Sequence, residues 1–159
     1  MTTNKIIQTR ELAPILRVLQ EKGQRVVFTN GCFDLLHIGH VRYLQAARDL
    51  GDFLVIGVNS DSSVRSLSKG PERPIVPQKQ RMEVLAALSC VDYVVLFSDS
   101  TPQKIIEILQ PDVLVKGGDW SVDHIIGREI VEGRGGRVVS IPLTPDVSTS
   151  KIIQRIQQS

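Results

Sequence analysis

A doubly wound α/β fold, one five-stranded parallel sheet with helices on both faces, follows from three features of the sequence. Short runs rich in Val, Ile and Leu, at 25–30, 53–59, 91–97, 112–118 and 137–142, alternate with segments of helical spacing. The runs are continuously apolar, as strands buried on both faces are, rather than alternating with polar residues. Gly, Pro, Asn, Ser and Thr punctuate the joints between the two kinds of segment. Strand-helix alternation of this sort favours parallel pairing through crossover helices.

Each element has its own signal. Thr9 is placed to cap a helix over 10–22, with Leu12, Ile15, Leu16 and Leu19 on one face and Gly23 as its stop. The strand at 25–30 runs into Asn30-Gly31, a turn pair. A helix over 40–50 carries Val41, Leu44, Ala47 and Arg48 at helical spacing and stops at Gly51. After the strand at 53–59, residues 60–77 read as a polar loop with Gly70, Pro71, Pro74 and Pro77. A helix over 78–89 turns Met82, Leu85, Ala86 and Leu88 inward. Beyond the strand at 91–97, Thr101 caps a helix with Pro102 at its first position. The strand at 112–118 ends in glycines, a short helix covers 127–132, and a last helix capped by Ser148 follows the strand at 137–142. No repeat or composition shift divides the chain, so one domain is expected, with 1–24 as a helical extension and 25–159 as its core.

Composition narrows the function classes. The 159 residues include 19 Lys+Arg and 17 Asp+Glu, a net charge of +2, with 42% hydrophobic and 23% charged residues. This balance argues against a disordered chain and against a strongly basic nucleic-acid binder. No apolar run approaches the roughly 20 residues of a membrane span, and the N-terminus has no signal-like apolar region. Cys32 and Cys90 lie far apart, match no metal spacing and read as reduced thiols, so the expectation is a cytoplasmic protein without a metal site of its own.

A doubly wound sheet binds its ligand at the carboxyl ends of the strands, where the strand order reverses. The sharpest signal lies there, in Asn30-Gly31-Cys32-Phe33-Asp34-Leu35-Leu36-His37-Ile38-Gly39-His40. A helix start offers free N–H groups and a positive dipole end to phosphate. His37 and His40, three apart, face one way; Gly39 between them lets a phosphate approach the backbone, and Gly31 permits the tight turn. Paired imidazoles stabilise charge on a phosphorus centre and on a leaving oxyanion. His37 and His40 are therefore the catalytic candidates.

Further segments point to the same edge of the sheet. Ser148-Thr149-Ser150-Lys151 opens the last helix, either as a second anion site or as an ordinary cap. Glycines in Lys116-Gly117-Gly118-Asp119-Trp120 let backbone approach a base. Asn59-Ser60-Asp61 ends the second strand as a binding segment or a polar turn. Lys69 and Arg73 lie in a Gly/Pro loop that can bring positive charge over phosphates.

The H-x-G-H string resembles the nucleotidyltransferase superfamily that includes the cytidylyltransferases, phosphopantetheine adenylyltransferases and class I aminoacyl-tRNA synthetases. The fuller set, NGCFDLLHIGHVRYL, VNSD, RPIVPQKQRMEVLAAL, VKGGDW and STSKII, spans about residues 25–156 and is similar to the ADP-heptose synthases, which adenylylate D-glycero-β-D-manno-heptose 1-phosphate. The resemblance implies a Rossmann-like fold, ATP as co-substrate, Mg²⁺ on its phosphates and a role in lipopolysaccharide precursor synthesis. It adds Lys69 to the catalytic set as a mobile cation. It implies nucleotide contacts from Asn30, Gly31, Cys32, Phe33, Gly39 and His40, from Lys116, Gly117, Gly118 and Asp119, and from Val147, Ser148 and Thr149. It implies sugar-phosphate contacts from Asp34, Asn59, Asp61, Arg73, Arg81 and Lys116, with Arg81 binding phosphate or bracing Asp34. Small molecules, not nucleic acid or membrane, are the expected partners, with a homodimer and a separate heptose kinase. A glycerol-3-phosphate-type cytidylyltransferase, another adenylyltransferase of the superfamily such as one for phosphopantetheine or flavin mononucleotide, and a non-catalytic nucleotide-binding regulator remain open. The Arg that such cytidylyltransferases carry just before the last cap is missing from Ile141-Pro142-Leu143-Thr144-Pro145.

Overall fold

The computed structural model describes residues 2–67, 70–118 and 121–159. Five strands, β1 (Val26–Gly31), β2 (Phe53–Asn59), β3 (Tyr93–Phe97), β4 (Val113–Gly117) and β5 (Arg137–Ile141), form one sheet in the order β3-β2-β1-β4-β5. Every neighbouring pair is parallel. The chain winds outward from β1 to β3, then crosses back to lay β4 against the other edge of β1. The order reverses between β1 and β4, and a ligand crevice belongs there.

Among the described residues, seven α-helices cover the sheet: α1 (Thr9–Glu21), α2 (Ile38–Arg48), α3 (Asp61–Ser66), α4 (Gln78–Ala86), α5 (Gln103–Leu109), α6 (Arg128–Gly133) and α7 (Thr149–Gln157). Period-two alternation sorts each strand's side chains into two cores. Val26, Phe28, Val55 and Leu114 pack with Leu12 and Leu16 of α1, Ile105, Ile106 and Leu109 of α5, and Val131 of α6. Val27, Leu54, Ile56 and Val115 pack on the other face with Leu44 and Ala47 of α2 and Met82 and Leu85 of α4. The doubly wound architecture is as expected. No helix among the described residues is long and apolar enough to cross a membrane.

Local differences have local causes. Residues 61–66, expected as loop, form α3, because the Ser60 hydroxyl caps it by accepting from Ser63 N–H and Val64 is buried beneath it. Ile15 is 38% exposed, and Ala13 takes its place on the inner face of α1. The α1 N-cap is Gln8, with Thr9 the first helical residue. Pro102 stands just outside α5, which begins at Gln103. Helix α2 begins at Ile38 rather than His40, because His37 caps it.

Candidate active site

Beyond Gly31 the chain turns through Cys32, Phe33 and Asp34 before entering α2. The left-handed residue of this turn is Phe33, at φ 49°, and not Gly31. Gly31 is needed for space instead, since a Cβ there would stand 3.0 Å from the Phe33 ring.

The two histidines form a reciprocal cap at the start of α2. His37 Nδ1 accepts from Gly39 N–H at 3.1 Å, and His40 Nδ1 accepts from His37 N–H at 3.3 Å. Their ring centroids lie 3.9 Å apart. With Nδ1 accepting on each ring, the hydrogen of a neutral imidazole sits on Nε2. Burial holds His37 below the ordinary histidine value, so it is neutral at pH 7. Gly39 serves this cap directly: a Cβ would lie 2.9 Å from the His37 ring.

Helix α7 brings a second N-terminus to the same place. Ser148 Oγ accepts from Lys151 N–H at 3.1 Å, and Thr149 Oγ1 donates to the Leu35 carbonyl at 2.9 Å. The Thr149 hydroxyl thus ties α7 to the loop before α2. What Thr149 offers an anion is its backbone N–H at the helix start.

A cavity of about 330 Å³ lies between these elements. Asn30, Gly31, Cys32, Phe33 and Asp34 line it from β1 and the turn, and His37, Gly39 and His40 from the head of α2. Lys116 and Gly117 line it from β4, Val147, Ser148 and Thr149 from the head of α7, and Arg73 from the 70–77 segment. The structure therefore brings most of the expected residues together. Lys69 and Asp119, with Trp120, lie outside the described residues.

Four expected residues are placed elsewhere. Gly118 is buried just past β4, its carbonyl accepting from Ser140 Oγ. Asn59 is buried, and its Nδ2 donates to Ser63 Oγ at 3.2 Å. Asp61 accepts from Arg81 Nη2 at 2.8 Å, and the Arg81 side chain has no exposed surface. Arg81 also donates through Nε to the Val76 carbonyl at 2.9 Å and through Nη1 to the Cys32 carbonyl at 2.5 Å. A guanidinium sealed inside the protein must find protein acceptors. Arg81 therefore braces the site loop from below; it does not pair with Asp34.

The partner of Asp34 is Arg73, whose Nε lies 2.7 Å from its carboxylate. Asp34 also accepts from Ile75 N–H at 2.9 Å and Val76 N–H at 2.8 Å. Burial pushes this carboxyl up, but the two backbone N–H groups and the Arg73 guanidinium outweigh it and hold it below the ordinary carboxylate value. Asp34 thus pins the 73–76 segment, and with it Arg73, at the cavity wall.

Sequence reasoning gave no site role to Tyr43, Leu143 and Thr144, which also line the cavity together with Ser150 of the last helix's opening string. Tyr43 stands three residues after His40 and four after Gly39, on the same face of α2. That spacing was the available signal. Burial pushes its phenol up to about 12, partly offset by the Thr29 hydroxyl.

Among the described residues, no group of three or more His, Cys, Asp or Glu side chains could hold a metal ion. Asp34 is the one carboxylate among the described residues that line the cavity, and it is engaged with Arg73.

Comparison with known proteins places this geometry. A family model described as cytidylyltransferase-like matches residues 28–155. The chain is 55% identical over 156 residues to the bifunctional protein HldE of Citrifermentans bemidjiense, covering 98% of this chain and 32% of that protein. It is 54% identical over 153 residues to the bifunctional protein HldE of Syntrophotalea carbinolica, covering 96% and 31%. The chain thus spans roughly a third of the length of these curated relatives. The crystal structure of a lipopolysaccharide core biosynthesis protein from Thermoplasma volcanium matches with a TM-score of 0.63 at 30% identity, over 77% of this chain and 98% of that one. Pantothenate synthetase from Thermus thermophilus, at 16% identity and a TM-score of 0.60, covers 93% of this chain and 67% of its own, and shares the fold.

Proposed function

This chain belongs to the cytidylyltransferase-like family of nucleotidyltransferases, and from that membership we propose that it transfers AMP from ATP to D-glycero-β-D-manno-heptose 1-phosphate. The products are ADP-heptose and pyrophosphate, and the setting is cytoplasmic synthesis of a lipopolysaccharide precursor. One observation carries the chemistry: two helix N-termini converge on one cavity around a close, tilted histidine pair. The sugar assignment rests on the resemblance of the VKGGDW and STSKII strings together with H-x-G-H.

In this reading an oxygen of the sugar phosphate attacks the α-phosphorus of ATP in line. The bond to the β-phosphate oxygen breaks, and its electron pair leaves with pyrophosphate. No covalent enzyme intermediate forms, so the chain's work is positioning and charge stabilisation. The start of α7 holds the outer phosphates through its N–H groups. His37 and His40 donate from Nε2 to the oxygens that gain charge in the transition state. The capping bonds occupy Nδ1 of each ring and leave Nε2 as the nitrogen that donates. Arg73, held by Asp34, adds fixed positive charge at the wall. No carboxylate cage stands among the described residues, so a divalent cation would arrive on the triphosphate.

Pyrophosphate release with Mg²⁺, heptose 1-phosphate and either ATP or CTP tests the proposal. Release with ATP and sugar phosphate, and little with CTP, is the expected result. Release with CTP alone would move the chain to the cytidylyltransferases, and silence with heptose phosphate under both nucleotides would overturn the sugar assignment.

A further inference from the structure

The pairing of β1 with β2 runs six residues, from Val26↔Phe53 to Gly31↔Val58. On its other side β1 pairs with β4 only at Val27↔Val113 and Phe28↔Leu114. The ladder stops there, although both strands continue to Gly31 and Gly117. Beyond this ladder, the facing ends of the two strands carry Asn30 and Gly31 on one side of the cavity and Lys116 and Gly117 on the other. In place of backbone pairing, a side-chain relay crosses the gap. The Tyr43 hydroxyl donates to the Val115 carbonyl at 3.3 Å, and Thr29 Oγ1 lies 2.6 Å from the same phenol oxygen. Thr29 and Val115 have no exposed surface, so water does not substitute for this bridge. The Tyr43 ring also stands 3.3 Å from where a Cβ on Gly117 would be, with Leu143 equally close.

We propose that Tyr43 is a positioning residue: its hydroxyl, joined to Thr29 and Val115, sets the width of the crevice between β1 and β4. The proposal rests on the transferase reading above, because it concerns how nucleotide and acceptor contacts on opposite strands are held in register for in-line attack. Ladder bonds between these strand ends would close the crevice, and no bond at all would leave its two walls independent. A phenol on α2 holds them apart and in step.

Tyr43→Phe and Thr29→Val each remove the bridge while keeping shape. Steady-state pyrophosphate release should show kcat reduced roughly tenfold or more, as a small misplacement of reacting groups costs. ATP KM should stay within about threefold, since uniform binding is kept. The double variant should be no slower than the slower single one, because both remove the same bridge. Amide hydrogen exchange should quicken at residues 30–31 and 116–117 in both variants, with melting temperature lowered by several degrees because a buried group loses its partner. Wild-type kcat in Tyr43→Phe, multiplicative losses in the double variant, or unchanged exchange at those amides would overturn the proposal. If the wild-type chain itself released no pyrophosphate, the transferase reading would fail by itself. The exchange measurement would then still decide whether the bridge holds the strand ends.

Discussion

Removing the charge of Asp34 separates the loop after β1 from the segment it anchors. In Asp34→Asn one oxygen remains for the Ile75 and Val76 N–H groups, while the new amide turns a donor toward Arg73 or toward those same N–H groups. The native carboxylate has no exposed side-chain surface and accepts from the guanidinium at 2.7 Å and from the two N–H groups at 2.9 and 2.8 Å. Losing one charge-assisted bond of this kind costs about 1.5–3 kcal/mol. Arg73 is itself only 11% exposed and loses its partner, which puts the total near the upper end, about 3 kcal/mol. For a chain of this length that is a fall in Tm of about 6–12 °C. The pH dependence adds a second constraint. The folded-state carboxyl value is depressed, so its contribution is fully present above the ordinary Asp value and is lost as pH falls through the lowered one. The gap in stability between wild type and Asp34→Asn should therefore be constant from pH 7 down to about 4 and shrink below it. Urea unfolding at a series of pH values measures both. A difference under about 1 kcal/mol at pH 7, or one that does not narrow in acid, would refute the argument.

Other perturbations test separate parts of the site. His40→Ala should leave ATP affinity within a few fold and lower turnover at least ~10²-fold, as loss of one oxyanion donor does; unchanged turnover would remove this histidine from the chemistry. Arg81→Met strands the Cys32 and Val76 carbonyls and should cost about 3 kcal/mol in urea unfolding, the low end for a broken buried pair because Asp61 keeps some access to water. A loss below about 1 kcal/mol would show that the brace contributes little. The His37 value is depressed in the folded state, so folding favours its neutral form. Its contribution as a cap is complete above about pH 6.5 and fades as pH falls through the lowered value. His37→Asn supplies a cap that does not titrate, so its melting temperature should change less between pH 7.5 and 5 than that of wild type; parallel slopes would argue against the capping role.

The fold was legible because strands covered on both faces must be continuously apolar, and Val26 to Phe28, Leu54 to Val58 and Val113 to Val115 are fully or nearly fully buried. Helix α3 was not legible, since Asp61-Ser62-Ser63 has the composition of a turn. What makes it helical is the Ser60 cap together with burial of Val64 against the sheet, a tertiary effect. The heads of α2 and α7 were legible for the opposite reason: anion binding at a helix start needs contiguous residues, so the signal is local. The charged residues around them divide by burial, which composition does not encode. Arg73 and Arg81 are eight apart and chemically alike, yet Arg73 reaches the cavity wall while Arg81 is sealed beneath the loop by Cys32, Val76 and Asp61. An arginine beside the cavity is thus as well suited to holding its backbone wall as to lining it directly. Tyr43 makes the same point from α2. Its helical spacing from Gly39 and His40 put it on the site face, but only the two-residue β1–β4 ladder reveals that something must bridge the strands there.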